Sequence, residues 1–526
     1  MIEARRGVAE SLRRMRVTPY PPPFRNRECH WREPQAIFPV LPIMKLSRLQ
    51  AALKEARAFH FTDTEILGVI HDSRRVKKGH VFVAIKGAKF DGHDFAREAL
   101  ERGAVALVTE RKVDAPEGVP QIVVPNSRFA LAALGACFYG DPSTHVRVVG
   151  VTGTNGKTTT THLIKRIIEA SGQEAGLIGT IGYQIGQREL PATTTTPESI
   201  DLQGYLADMA AANIRYAAME VSSHALMQHR VACVQFAAGV FTNLTRDHLD
   251  YHKTFEAYLD AKARLFEGLA PEAYAVLNAD DPACGALRQR TRAHVITYGI
   301  ASAADVSARV KSVTLDGMTF ELRHGAMRLE IQSPLIGKHN VYNALAASSV
   351  ALAFGLEPEV IRKGLEGLRG VPGRLEPVPN TKGLHIVVDY AHTPDALENV
   401  LSALRPLVKG RLLLVFGCGG DRDRTKRPIM GGIGEKWADL FWITSDNPRT
   451  EDPLRIIAEI EAGVKDRERH RVQPDREAAI REAVKAARPG DLVLIAGKGH
   501  ERYQIFKDTI VPFDDREAAR KAVENG

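Results

Sequence analysis

The segment GVTGTNGKTT, residues 150–159, sets three glycines ahead of a Lys-Thr pair. Glycines let successive backbone N–H groups curl around phosphate oxygens, and a helix opening at the Lys-Thr pair would add positive potential. In that arrangement Gly153, Thr154, Asn155, Gly156, Lys157, Thr158 and Thr159 line a nucleotide. Lys157 reaches the β- and γ-phosphates, and Thr158 offers its hydroxyl to Mg²⁺. The common spacing asks for glycine at position 151, where Val151 stands; the glycines here are Gly150, Gly153 and Gly156. The pattern specifies a nucleoside triphosphate and leaves the reaction open.

Further chemistry-bearing clusters follow. MEVSSHALMQHRV (219–231) puts Glu220 where a strand should end, a place for a metal ligand, and adds Ser222, Gln228 and Arg230 as donors for an anionic substrate. FTNLTRDHLDYH (241–252) supplies His248, which by itself reads equally as a structural histidine. In YLDAKARLF (258–266), Lys262 falls opposite the apolar stripe of a helix and reads as solvated. Near the C-terminus, ITSDNPRTEDP (443–453) sets the carboxylate of Asp446, the amide of Asn447, the rigid turn of Pro448 and the guanidinium of Arg449 side by side. Taken alone this is a turn closing the apolar run DLFWI.

The elements that must position these residues are short apolar strands alternating with helices. The first part has VFVAI (81–85), AVALVTE (104–110) and QIVVP (121–125), with helical stretches such as LSRLQAALKEAR (46–57) and DFAREALERGA (94–104). The second opens with VRVVGV (146–151) and continues through YAAMEV (216–221), AAGVFTNL (237–244) and YAVLNA (274–279) to the helix NVYNALAASSVALAFGL (340–356). VPGR (371–374) reads as a hinge, after which LHIVVDY, RLLLVFG, DLFWITSD and DLVLIAGKG repeat the theme. This alternation predicts an α/β chain with parallel sheets covered on both faces. Ligands bind beyond the carboxyl ends of such strands, and there the motifs GTNGKTT, EVSSH, NLTRDH, DYAHTPD, GCGGDRD, SDNPR and GKGHE stand one after another. The divisions expected are 1–43, 44–144, 145–371 and 372–526.

Composition narrows the class. No apolar run reaches the roughly 18 residues of a membrane span. The five cysteines are scattered, in no metal-ligand spacing, as in a reducing cytosol. The net charge of +8 is uneven: residues 1–43 hold eight Arg against four acids. That arm includes YPPPF and lacks apolar periodicity, so it is expected to be a disordered extension ahead of a folded part opening at Met44. A nucleic-acid role for it is the weaker reading.

GVTGTNGKTTT, MEVSSH, the His248 segment, Lys262, LIGKHNVYNALAA (335–347), PGR and DYAHTPDAL (389–397) stand in the order seen in the Mur ligases. The chain resembles that family from about Met44 to its C-terminus. HDSRRVKKGHVFVAIKG, FDGHDF, GCGGDRD and DNPR are most similar to the branch that adds the third residue of the peptide, meso-diaminopimelate. The resemblance implies a cytoplasmic, ATP- and Mg²⁺-dependent ligase of peptidoglycan precursor synthesis, working as a monomer on a UDP-N-acetylmuramoyl-dipeptide through an acyl phosphate. It implies a UDP-substrate-binding N-terminal domain, a central P-loop domain and a Rossmann-like C-terminal domain. By the same resemblance Thr158, Glu220, His248 and a carboxylated Lys262 hold metal, and Asn340, Asn343, Arg374 and Asp389 contact the nucleotide. Ser73 and Ala88-Lys89-Phe90 hold the UDP end, and Thr195, Thr196, Ser222, Gln228 and Arg230 the muramoyl-dipeptide. Arg422, Gly497 and Glu501 join Asp446-Asn447-Pro448-Arg449 around the free end of diaminopimelate. Lysine-adding, D-Ala-D-Ala-adding and folylpolyglutamate-type ligases remain rivals, as does a nucleotide-binding scaffold without activity.

Overall fold

The structure is a computed structural model and describes residues 43–87, 90–245 and 249–525. Three α/β units each carry one principal sheet. The first sheet holds β1 (Arg57–Phe59), β2 (Gly68–Ile70), β3 (His80–Val83), β4 (Ala104–Thr109) and β5 (Gln121–Val123). Their order is β1-β5-β4-β3-β2, parallel except for β1. The stretch expected to be helical to Arg57 forms only Leu46–Ala51. Its continuation turns left-handed at Glu55 (φ 56°), and Arg57 opens β1 instead. Helix α1 (Ser127–Phe138), capped by the Asn126 side chain, leads from this sheet toward the next.

The second sheet has eleven strands: β6 (Arg147–Thr152), β7 (Ala175–Ile178), β8 (Gly182–Ile185), β9 (Arg188–Pro191), β10 (Tyr216–Glu220), β11 (Phe236–Phe241), β12 (Tyr274–Asn278), β13 (His294–Gly299), β14 (Val306–Thr314), β15 (Gly317–His324) and β16 (Met327–Ser333). The order is β9-β8-β7-β10-β6-β11-β12-β13-β14-β15-β16. It is parallel from β7 through β14, as the alternation predicts, and both edges add antiparallel strands. The edges are hairpins closed by tight turns with left-handed glycines, Gly186 (φ 58°) and Gly325 (φ 53°). Along β16 burial largely alternates, the mark of a strand with one solvated face.

Helix α2 (Lys157–Ala170) follows β6 directly. Leu163, Ile164, Ile167 and Ile168 fall on one face and bury against Val149, Val151 and helix α4 (Lys338–Ala353). Its first turn carries no acidic residue, so its N–H groups and positive end stay open to an anion. The other face of the sheet buries against helix α3 (Phe255–Glu267) through Leu265 and Phe266.

The third sheet holds β17 (Glu376–Pro377), β18 (His385–Asp389), β19 (Leu412–Phe416), β20 (Leu440–Ile443), β21 (His470–Val472) and β22 (Leu492–Ala496). The order is β17-β18-β22-β19-β20-β21, parallel except for β17. Helices α5 (Lys426–Trp437) and α6 (Pro453–Glu461) flank it, and a hairpin of β23 (Tyr503–Phe506) and β24 (Thr509–Pro512) follows. In both larger sheets the parallel strands end level: Glu220 pairs with Val151, Phe241 with Thr152, and Asp389 with Ala496. The motifs legible in the sequence are thereby set side by side along two sheet edges.

Candidate active site

The phosphate loop is held open from behind by the segment that follows β11. Thr242 Oγ1 and Asn243 Nδ2 donate to Asn155 O at 2.6 and 3.1 Å, Thr154 N donates to Asn243 O at 2.9 Å, and Asn155 N donates to Asn243 Oδ1 at 2.9 Å. Gly153 (φ 151°) admits no side chain, because a Cβ there would lie 1.9 Å from Thr242 Oγ1. Gly156 (φ 87°) lies against α4, where a Cβ would lie 2.4 Å from Asn343 Oδ1. Asn343 in turn donates to Asn340 Oδ1 at 2.8 Å, and Asn340 donates to Ile336 O at 2.8 Å. Lys157 folds back over its own loop, donating to Gly153 O and Thr154 O at 2.8 Å each. A nucleotide entering the loop has to draw that ammonium outward.

The third unit reaches this loop through Arg374. Arg374 Nη2 donates to Thr158 Oγ1 at 3.3 Å, and its guanidinium lies 5.1 Å from the Tyr390 ring centroid. Asp389 is buried and fixes the turn that carries Arg374, accepting from Leu375 N at 2.7 Å and Ala391 N at 2.8 Å. Burial pushes its carboxyl up, opposed by Arg374 and those backbone N–H groups.

Beside the loop, Glu220 is buried at the end of β10 and accepts from Thr180 N (2.9 Å) and Thr180 Oγ1 (3.1 Å). Thr180 was not anticipated, and its place follows from β7 lying beside β10. Lys262 corrects the sequence reading: it is 1% exposed, with Nζ 4.2 Å from the Tyr258 ring centroid. Tyr258, one turn earlier on α3, packs against His252 with ring centroids 4.9 Å apart and meets the phosphate loop, its Oη lying 3.3 Å from Thr154 Oγ1. His248 lies outside the described residues, as do Ala88 and Lys89. Among the described residues no group of three or more His, Cys, Asp or Glu is arranged for a metal.

Thr195, Thr196, Ser222, Gln228 and Arg230 lie together. Thr195 Oγ1 lies 3.1 Å from Thr180 Oγ1, and Thr196 Oγ1 donates to Glu220 O at 2.9 Å and accepts from Ser222 N at 3.1 Å. Arg230 donates to Thr196 O at 2.9 Å and to Gln228 Oε1 at 2.8 Å, and its Nε lies 3.0 Å from Glu198. Glu198 also pairs with Arg128 of α1 at 3.6 Å, joining this cluster to the first unit. Ser73, buried, lies just beyond β2, and Phe90, 71% exposed, beyond β3.

At the edge of the third sheet, Asp446, Asn447 and Pro448 are buried while Arg449 is half-buried. Asn447 Nδ2 donates to Glu501 Oε2 at 2.9 Å, and its Oδ1 accepts from Lys498 Nζ and Ile505 N at 3.1 Å each. Lys498 also pairs with Glu501 at 2.9 Å. Gly497 (φ 113°) is packed so closely that a Cβ would lie 2.8 Å from Asp446 Oδ2. Arg449 donates through Nη1 to Gly420 O at 2.9 Å and, weakly, to Asn447 O at 3.5 Å. Among the described residues its Nε–Nη2 edge has no partner, which suits a carboxylate gripped in a fork. Arg422 is exposed on the neighbouring loop, with Nη1 donating to Asp421 O at 3.1 Å. Lys498 and Arg427, both buried, were not anticipated; Arg427 meets Glu451 and Glu459, and Lys498 meets Asn447, across separate loops.

Comparison with known proteins follows the same division. The profile of the Mur ligase family catalytic domain matches residues 65–139, the Mur ligase middle domain 151–351, and the Mur ligase glutamate ligase domain 373–499. A UDP-N-acetylmuramoyl-L-alanyl-D-glutamate–2,6-diaminopimelate ligase of Syntrophomonas wolfei is 48% identical over 461 residues, 87% of this chain and 94% of that protein. The enzyme of the same name from Geobacillus thermodenitrificans is 47% identical over 490 residues, 91% of this chain and 99% of that protein. A solved structure of a ligase of that name superposes with a TM-score of 0.67 at 34% identity, covering 92% of this chain and 99% of that one. The MurF ligase of Thermotoga maritima in complex with ADP shares the fold, with a TM-score of 0.58 at 21% identity over 87% of this chain and 96% of that one.

Proposed function

The chain belongs to the Mur ligase family, and on that premise we propose that it uses ATP to join meso-diaminopimelate to UDP-N-acetylmuramoyl-L-alanyl-D-glutamate. The observation that carries the choice of amino acid is the Arg449 edge without a partner among the described residues, set beside Arg422 and the acidic Asp446 and Glu501. Diaminopimelate ends in a carboxylate next to an ammonium, so a cation facing an acid matches both charges. Lysine ends in an ammonium alone and would leave Arg449 against a cation. The close relatives carry the same activity in their names.

The D-glutamyl carboxylate is a poor electrophile, because the group it would expel is oxide. Transfer of the γ-phosphoryl group to one carboxylate oxygen gives an acyl phosphate and ADP. The amine of diaminopimelate then attacks the acyl carbon, phosphate leaves, and the amide loses the amine's proton. Arg230, aligned by Glu198 and Gln228, holds the anionic dipeptide with Ser222, Thr195 and Thr196. Lys157 moves from its carbonyl partners to the γ-phosphate, and Arg374, pinned by Asp389, closes over the nucleotide. Thr158 and Glu220 fit a magnesium ion: one in the first turn of α2 and the other at the end of β10, both offer hard oxygen ligands, and each oxygen retains lone-pair capacity. Bound there, the ion would neutralise charge between the phosphates and the carboxylate. Lys262 is assigned as a carbamate: its ammonium gives up one proton, and the amine adds to CO₂ with loss of a second, which turns a buried cation into an anion.

Labelling the D-glutamyl carboxylate with heavy oxygen tests the chemistry. Label recovered in the released phosphate is the expected result. Phosphate without label would overturn the acyl-phosphate route.

A further inference from the structure

Arg422 and Arg449 stand on different loops, one after β19 and one after β20, and neither loop is built from relaxed backbone. Asp421 and Arg449 are both left-handed at φ 53°, a region that side chains other than glycine rarely adopt. Conformations of this kind persist where their surroundings over-determine them, and here the surroundings are specific. Asp421 Oδ1 accepts from Thr450 Oγ1 at 2.6 Å and Oδ2 from Thr450 N at 3.2 Å. Asp421 N donates to Glu451 Oε1 at 2.6 Å. Beneath them the fully buried guanidinium of Arg427, at the start of α5, grips the Glu451 carboxylate in a fork: Nη2–Oε1 is 2.8 Å and Nη1–Oε2 is 2.9 Å. The same guanidinium bonds Glu459 of α6 at 2.7 Å and Gly419 O at 3.2 Å. The bonds from Asp421 to Thr450 and Glu451 tie the residue next to Arg422 to the residues that follow Arg449, and Arg427 holds Glu451 in place for them.

We propose that Asp421, Thr450, Glu451 and Arg427 are positioning residues. They form a clasp that sets the spacing and direction of Arg422 relative to Arg449, and so select an amino acid whose free end carries a carboxylate. The proposal rests on the amino-acid pocket described above. None of the four needs to touch substrate. Thr450 is exposed, and its hydroxyl serves the clasp alone among the described residues. A domain-stabilising role would look different: Thr450→Val removes one hydroxyl at the surface and leaves the core untouched.

The experiment measures KM for ATP, for the UDP-dipeptide and for the amino acid, with melting temperature, in wild type, Thr450→Val, Asp421→Asn, Asp421→Ala and Glu451→Gln. An amino-acid panel on wild type comes first, so the identity of the substrate is read separately from the clasp. Whichever amino acid wild type joins is then used for the variants. KM for that amino acid should rise roughly five- to thirtyfold in Thr450→Val and Glu451→Gln, with both other KM values unchanged. Asp421→Asn, which tolerates left-handed backbone and keeps an acceptor, should do better than Asp421→Ala. Selectivity against an amino acid lacking the end carboxylate should fall in step. An unchanged amino-acid KM overturns the proposal. So does a loss spread evenly over all three substrates, or one that only tracks melting temperature.

Discussion

Replacing Arg449 with alanine separates two roles that the structure gives one side chain. Nη1 ties the loop to Gly420 O at 2.9 Å, and the Nε–Nη2 edge is left for a ligand. Losing the tie alone removes one ordinary hydrogen bond, about 1 kcal/mol, or roughly fivefold in binding. Losing a charge-assisted fork in a partly buried pocket costs on the order of 2–5 kcal/mol, much of it from the carboxylate left unpaired, or roughly 30-fold to several thousandfold. The two ranges do not overlap. Steady-state kinetics of Arg449→Ala should therefore show KM for diaminopimelate raised at least about 30-fold, with KM for ATP and the UDP-dipeptide little changed. Arg449→Lys should recover little, since a point charge cannot reproduce the fork. A rise of only about fivefold would mean that Arg449 shapes the loop without gripping substrate, and would refute the assignment.

Lys262→Ala should lose most activity; labelled CO₂ should add a carbamate carbon resonance to wild type and none to the variant, and a wild type without that resonance would contradict the assignment. Gly153→Ala should abolish nucleotide binding by calorimetry, because the new Cβ would lie 1.9 Å from Thr242 Oγ1; retained affinity would show that the loop rearranges. His500 is held down at about 4, by burial first and then by Arg374, Arg516 and Lys498. An unfolded histidine takes its proton near pH 6.5, so the unfolded chain is protonated first as pH falls. Stability complete above about pH 6.5 should therefore be lost progressively toward pH 4, and melting temperature should fall less over that window in His500→Gln.

The strand-end motifs were legible because a parallel sheet writes each strand as an apolar run and puts the chemistry just after it. VRVVGV, YAAMEV and DLFWI give β6, β10 and β20 nearly to the residue. The antiparallel edge β14–β16 was overlooked because MRLEIQS alternates rather than running apolar. Lys262 was misread because its helix periodicity reports only the face toward the sheet, whereas Lys262 packs against Tyr258, which meets the phosphate loop. Buried Arg427 carries no local signal, since it meets Glu451 and Glu459 across separate loops, and GKGHE does not show that Lys498 is buried against Asn447 as well as Glu501. Motif residues can be found from types and spacing, while the residues that hold them in place emerge only once the strands are aligned.

The most direct measurement of the central claim offers the purified chain ATP, Mg²⁺ and UDP-N-acetylmuramoyl-L-alanyl-D-glutamate with meso-diaminopimelate, with L-lysine or with no amino acid, and follows phosphate release and the mass of the nucleotide product. Rapid phosphate release with diaminopimelate, a product heavier by one diaminopimelate residue, and little product with lysine or with no amino acid are predicted. Preference for lysine, or phosphate release without any joined product, would contradict the account.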